Sequence, residues 1–310
     1  MKPPHRIPSA GRVAVCAVAG IVAVAAVSAA APRQPAYEDL LARISPAIVS
    51  VKVVLKTEFN MGDAMQEQES ILDALGAVVD PDGLILLWNS QLSATRLMDA
   101  VRQMGEGEDF KLKMTPTDFR VTFAGDVREH RAFLAGSDSE LDLAFLQLEE
   151  RPARALASID FGRSRPARIG DTVFGVSRLS PAFDRAPFLE TGRIAGRITK
   201  PASAFILDAS PALLGLPVFD SEGHAVGAVA TVLSRTSEPA AQGGDMMSYF
   251  ALGRGRMESG PLGVFLLPGE RVEDLIATAR MRARELLDER HRDGSEESGV
   301  PVPSEGPPAN

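Results

Sequence analysis

The sequence predicts an all-β protein that ends in one helix. Short hydrophobic segments bounded by Gly, Asp and Pro recur along the chain, a pattern typical of β-strands joined by turns. About 255 residues run from Ala36 to Arg290, enough chain for two small domains with cores of their own. Segment 271–290 instead carries its apolar residues at helical spacing, which predicts a closing helix.

The chain begins with a segment typical of exported proteins. A short basic start is followed by Val13–Ala31, an uncharged run rich in Ala and Val, with a small-residue cleavage pattern near Ser28–Ala30. Residues 1–31 are therefore predicted to be a signal peptide that directs the protein to the periplasm or the cell exterior. Residues 13–31 are also long enough to remain as a membrane anchor, and membrane contact is expected only through them.

Composition limits the cofactors and partners. Cys16 is the only cysteine and lies in the leader, so the exported part has no internal disulfide. Without residues 1–30 the net charge changes from −8 to −11, because that segment holds three basic groups and no acidic ones. Such an acidic protein is not expected to bind nucleic acid. The sequence has no residue spacing typical of a zinc or calcium site and no glycine-rich phosphate-binding loop, so neither a metal nor a cofactor is expected.

Three segments of the first half carry a recognisable pattern. The first two, Ile44–Val51 and Gly76–Leu86, have the form of an opening strand and a hairpin, and Leu87–Leu92 follows the hairpin directly. The third, Gly136–Leu146, contains Asp142.

The second half continues the pattern with five shorter segments. They are Ile169–Gly175, Thr191–Ile194, Phe205–Ala209, Gly215–Asp220 and Gly263–Pro268. In this order the segments resemble motifs of the HtrA/Deg branch of trypsin-like serine proteases, from about Tyr37 to Leu287. Each motif alone is modest evidence, but their shared order and spacing are hard to obtain by chance.

The resemblance implies a fold of two antiparallel six-stranded β-barrels. It places an N-terminal barrel at 36–150, a C-terminal barrel at 151–268 and a closing helix at 269–292. Residues 293–310 are rich in Gly, Ser, Glu and Pro and are expected to form a disordered tail. No PDZ domain is expected after the helix.

The resemblance also implies a degenerate catalytic triad. Ser90 stands at the position of the histidine, Asp142 at that of the aspartate and Leu214 at that of the serine nucleophile. The loop that would form the oxyanion hole is two residues shorter than usual, and its altered positions are Ala212, Leu213 and Leu216. Acyl transfer needs a nucleophile, a base and backbone N–H donors, so the sequence predicts a pseudoprotease.

No other residue is a good substitute for the missing base or nucleophile. Ser210 is the only serine near the nucleophile position, but Pro211 follows it where a flexible elbow would be needed. The histidines are expected in the leader (His5), on a solvent-facing strand position (His130), in a hairpin turn (His224) and in the acidic region beyond the helical spacing of 271–290 (His291).

The remaining triad positions have structural interpretations. Asp142 is expected to cap a turn or to accept backbone hydrogen bonds rather than to act in catalysis. The leucines at 213, 214 and 216 are expected to fill the cleft or pack in the core.

Two insertions are predicted to be helical. Asp63–Leu75 has the spacing of a short amphipathic helix, and in the resembled family the corresponding loop contacts other subunits or covers the active site. Ser93–Met104 is predicted to be a second helix with Ser93 as its cap. Packing of both against their own barrel is the favoured interpretation.

The sequence thus predicts an exported, catalytically inactive protein that acts in protein binding, regulation or envelope assembly. Its partners would be proteins or peptides, an active protease paralogue among them, and an oligomer is compatible with this interpretation. The alternative is a serine endopeptidase with a rearranged site that pairs Asp142 with Ser90 or Ser210.

Overall fold

The computed structural model describes residues 37–61, 64–95, 98, 112–200, 202–231 and 264–297. All of them belong to one compact unit that spans Gln34–Asn310. The first element is a short helix, α1 (Tyr37–Ile44), which buries Leu40 and Ile44. Within the described ranges, no helix has the length and apolar character needed to cross a membrane.

Six antiparallel strands close the first barrel in the order β1-β2-β3-β6-β5-β4. The first two are much longer than the others and form a hairpin. The strands are β1 (Ile48–Met61), β2 (Ala64–Asp80), β3 (Leu84–Trp88), β4 (Leu112–Thr122), β5 (Glu129–Asp138) and β6 (Leu143–Leu148).

Six further strands close the second barrel in the order β10-β11-β12-β9-β8-β7. They are β7 (Thr172–Arg178), β8 (Pro187–Ile198), β9 (Ala204–Asp208), β10 (Pro217–Phe219), β11 (Ala225–Thr231) and β12 (Val264–Pro268). Together with the C-terminal helix, the two closed barrels confirm the predicted fold class.

The cores follow from the strand sequences. Strands β6 and β11 are buried at every position, so each runs through a barrel wall that is covered on both faces. One apolar cluster fills each barrel, and a third joins the two barrels and the helices. Representative members of the third cluster are Leu40, Phe133, Phe145, Phe174, Phe219 and Ile276.

The C-terminal helix, α2 (Gly269–Glu297), spans both barrels. It buries Val272 and Ile276 in the shared cluster, and Arg280 Nε lies 2.6 Å from Asp80 Oδ2 of the first barrel. The helix continues five residues beyond the expected end at 292, so the start of the expected tail at 293 is too early. Residues 298–310 lie outside the described residues.

The prediction of a helix at Asp63–Leu75 is wrong. Residues from Ala64 onward form β2, which pairs with β1 from Ala64↔Met61 to Ala77↔Ile48. The apolar residues at 71, 72 and 75 fit a helical stripe as well as a strand, and the long partner strand decides between them. The second predicted helix lies mostly outside the described residues, but Thr95 and Met98 are helical and Thr95 N–H donates to Ser93 Oγ over 3.2 Å.

Arg178, at the end of β7, joins the two barrels through backbone carbonyls. Its guanidinium donates to the carbonyl oxygens of Ile48 (2.9 Å), Ser45 (2.6 Å) and Arg185 (3.0 Å). Burial lowers the pKa of Arg178, because the half-buried guanidinium is partly removed from water. The three carbonyls offset that desolvation through charge-assisted hydrogen bonds.

Arg178→Lys is therefore expected to lower the free energy of unfolding by about 2 kcal/mol, because one ammonium cannot reproduce a planar fork aimed at three carbonyls. Urea denaturation followed by circular dichroism would measure the loss. The exposed Arg193 on β8 gives the matched control, and Arg193→Lys is expected to change stability by less than about 0.5 kcal/mol. Equal losses for the two variants would contradict the assigned role.

Candidate functional site

Asp142 is fully buried where the two barrels meet. It lies in the turn before β6 with a left-handed backbone (φ 59°), a conformation that Asp adopts more readily than most residues. Its carbonyl oxygen accepts the N–H of Asn89 over 3.0 Å, which ties this turn to the 3-10 turn Asn89–Gln91 after β3. The backbone of the first barrel therefore fixes the position of the carboxylate.

Three neutral donors from both barrels surround the Asp142 carboxylate. Ser90 Oγ donates to Oδ1 over 2.7 Å, and Trp88 Nε1 donates to Oδ2 over 2.5 Å. Thr231 Oγ1, at the end of β11 in the second barrel, also donates to Oδ2. Hydrogen bonds to a carboxylate are stronger than those between two neutral groups. These three bonds come from side chains, whereas the expectation was that Asp142 caps a turn or accepts backbone hydrogen bonds.

Ser90 lies beside Asp142, as its motif position implies. Its hydroxyl proton is directed at the carboxylate, which leaves the side chain as a donor to the acid. A serine hydroxyl cannot accept a proton as a base near neutral pH, unlike an imidazole. In this pair Ser90 is the donor and Asp142 the acceptor.

Sequence reasoning missed Trp88 and Thr231. Trp88 is the only tryptophan of the chain and stands two residues before Ser90. Its position next to a triad residue could have marked it as part of the site. Thr231 is the one hydroxyl side chain of β11, a strand otherwise made of Ala, Val and Gly, and it is only 2% exposed. A polar residue that closes a buried apolar strand calls for a buried partner.

The loop that would form an oxyanion hole donates its N–H groups internally. Ser210 Oγ accepts Ala212 N–H over 3.2 Å, and Pro211 carbonyl oxygen accepts Leu214 N–H over 3.1 Å. The remaining bonds are Leu213 N–H to Ser210 O (3.1 Å), Gly215 N–H to Val229 O (2.8 Å) and Leu216 N–H to Leu213 O (2.9 Å). An oxyanion hole needs N–H groups that point at the substrate, and residues 212–216 direct theirs elsewhere.

Two serines fix this loop. Ser210 caps the 3-10 turn Pro211–Leu213, so its hydroxyl oxygen is engaged as an acceptor. Ser177 on β7 is 1% exposed, and its Oγ donates to Ala212 carbonyl oxygen over 3.2 Å.

The leucines of the loop pack in the core, as expected. Leu213 and Leu216 are fully buried, and Leu214 is 8% exposed. Leu213 lies directly against Gly175 of β7, where a Cβ would come within 2.5 Å of its side chain. Leu214 belongs to the apolar cluster of the second barrel, against which Trp88 also packs.

The histidines differ in part from expectation. His130 was expected to face solvent, but its side chain is 14% exposed, its ring centroid lies 5.2 Å from that of Phe123, and Nε2 lies 3.7 Å from Asp126 Oδ2. His224 does lie in the turn between β10 and β11. His291 lies on α2 instead of beyond it, and His5 is outside the described residues.

One side-chain group has the composition of a metal site. Asp220, Glu222 and His224 each bring a ligand atom within 4.8 Å of the others in the β10–β11 turn. Arg165 Nη2 lies 3.5 Å from Glu222 Oε2, and Arg43 Nη2 donates to the Glu222 carbonyl oxygen over 2.5 Å. The positive charges of these two arginines would repel a bound cation. We therefore interpret Asp220, Glu222 and His224 as a hydrogen-bonded cluster at the surface.

Comparison with known proteins agrees with this architecture. Residues 75–227 match a family model described as a trypsin-like peptidase domain. The matched segment runs from β2 to β11 and includes Ser90, Asp142 and Leu214. A search of curated proteins finds no match. The chain therefore contains a trypsin-like peptidase domain, folded as two β-barrels with a C-terminal helix.

Proposed function

We propose that this chain is a catalytically inactive, HtrA-like member of the trypsin-like proteins that works by binding other proteins in the cell envelope. The arrangement of the loop 212–216 carries the proposal, because its N–H groups are used within the protein. Leucine at 214 also lacks a hydroxyl to attack a carbonyl, and Ser90 has no basic nitrogen. Positions 214, 90 and 212–216 thus offer no nucleophile, no base and no oxyanion donor, respectively.

Export is part of the proposal and rests on the sequence. The basic start and the apolar run at 13–31 support a secreted or anchored protein. A protein of this fold that does not catalyse a reaction acts by binding other molecules at its surface. Regulation of an active protease paralogue is one form that such binding would take.

A fluorophosphonate probe tests the inactive state. After incubation with the purified protein, intact-mass spectrometry is expected to show no adduct, because Leu214 has no hydroxyl and the hydroxyls of Ser90 and Ser210 bond to a carboxylate and to a backbone N–H. Trypsin is incubated with the probe under the same conditions as a control, and its full labelling would prove that the probe is reactive. A stoichiometric adduct would overturn the proposal, and Ser210→Ala and Ser90→Ala would then identify the labelled serine.

A further inference from the structure

The long β1–β2 hairpin leaves one side of β2 without a partner strand among the described residues. Strand β2 pairs with β1 along residues 64–77, but with β3 only along residues 76–80. Residues 66–71, which we call the open edge, therefore have backbone N–H and C=O groups that point away from β1 with no described strand beside them. Unpaired groups of this kind are a template for an additional strand.

The open edge is exposed on both of its faces. All six residues from Gln66 to Ile71 are exposed, and Ile71 keeps 68% of its surface in water. An approaching strand would therefore meet no described side chain that has to move away first. Strand addition to such an edge obtains its affinity from main-chain hydrogen bonds and its selectivity from alternate side chains.

The charge of this strand selects the kind of partner. Residues 64–75 contain Glu67, Glu69 and Asp73 and no Lys or Arg. These three carboxylates share one face of β2, because side chains alternate along a strand. Glu67 pairs with Lys56 over 2.8 Å and Asp73 with Arg185 over 3.1 Å, while Glu69 has no ion pair among the described residues.

A second copy of the chain is the less favourable occupant. Antiparallel pairing of two open edges would bring Glu67 and Glu69 of both copies onto the same face, and like charges across a strand pair are destabilising. A basic strand would instead place its cations beside these carboxylates.

We propose that the open edge binds an extended, basic segment of another protein by β-strand addition. This inference deepens the proposed function, since it names the binding surface, and it rests on that function only for the biological role. The fluorophosphonate result does not depend on the edge, so the two proposals fail separately.

The test uses a fluorescein-labelled peptide of alternating Lys and Val, with a peptide of alternating Glu and Val as the control. Fluorescence anisotropy with the full chain at low salt is expected to show binding of the Lys peptide alone, weakening as salt is added. Hydrogen exchange measured by mass spectrometry is expected to show slower exchange at residues 66–71 when the Lys peptide is bound, because strand addition engages amides there.

Charge reversal gives the decisive comparison. The double variant Glu67→Lys/Glu69→Lys is expected to weaken binding of the Lys peptide by about tenfold and to bind the Glu peptide instead. The double variant Glu285→Lys/Glu289→Lys makes the same charge change on the exposed face of α2 and is expected to leave binding unchanged. Glu67→Gln/Glu69→Gln provides a milder change should the reversal disturb the hairpin.

Three outcomes of the peptide experiments would overturn the proposal. They are no binding of the Lys peptide, slower exchange at segments other than the open edge, and equal affinity for the two charge-reversal variants. Self-association that is lost in Glu67→Lys/Glu69→Lys would assign the edge to a second copy, and it too would overturn the basic partner.

Discussion

Asp142→Asn is expected to lower the free energy of unfolding by about 3 kcal/mol, since it breaks charge-assisted bonds in a buried network. Asparagine has the same shape and tolerates the left-handed backbone at this position, so the substitution changes chemistry and little else. Its single oxygen and its NH2 group cannot accept from Trp88, Ser90 and Thr231 at once. With its oxygen in the place of Oδ2 the amide can accept from Trp88 and Thr231, but its NH2 group then meets Ser90 Oγ, which has to change from donor to acceptor. All of these bonds lose the negative charge of the acceptor.

Urea denaturation followed by circular dichroism would measure this loss. Asp274→Asn on the exposed surface of α2 is the matched control and is expected to change stability by less than about 0.5 kcal/mol. A stability of Asp142→Asn equal to that of the parent protein would show that the buried carboxylate does not hold the barrels together.

Gly215→Ala is expected to cost about 4 kcal/mol or to prevent folding, because it combines backbone strain with a backbone clash. Gly215 has a φ of 77°, and a Cβ there would lie 2.2 Å from Trp88 N and 2.7 Å from Trp88 Cα. The main chain at the end of β3 would have to move, and with it the indole that donates to Asp142.

Gly125→Ala separates the two causes. Gly125 has a similar φ of 70°, but a Cβ there meets nothing within 4 Å. This control is expected to lose about 1 kcal/mol from strain alone. Thermal unfolding of both variants would give the difference, and equal losses would mean that the loop and the end of β3 can separate at little cost.

The two-barrel fold was predictable because the motifs, in their order along the chain, resemble those of a family with that fold. The same motifs placed Ser90 and Asp142 at neighbouring positions of the triad. In the structure, Ser90 Oγ lies 2.7 Å from Asp142 Oδ1. The donors Trp88 and Thr231 were not predictable in this way. Thr231 comes from the second barrel, so its contact with Asp142 exists only after the two barrels have met.

The errors also have physical causes. Residues 64–75 carry an apolar spacing that suits a helix or a strand, and pairing with β1 is a long-range effect that local spacing does not contain. His130 alternates like a solvent-facing residue, yet Phe123 and Asp126 from the preceding turn cover it. In both cases a tertiary neighbour decides what the sequence pattern leaves open.

The single indole of this protein gives it an internal optical probe. Trp88 packs against the second barrel and donates to Asp142, so the tryptophan emission of the protein comes from the boundary between the barrels. A ligand, partner or solvent condition that separates the barrels would change that emission without an added dye. Trp88 is thus a position from which the contact between the two barrels can be observed directly.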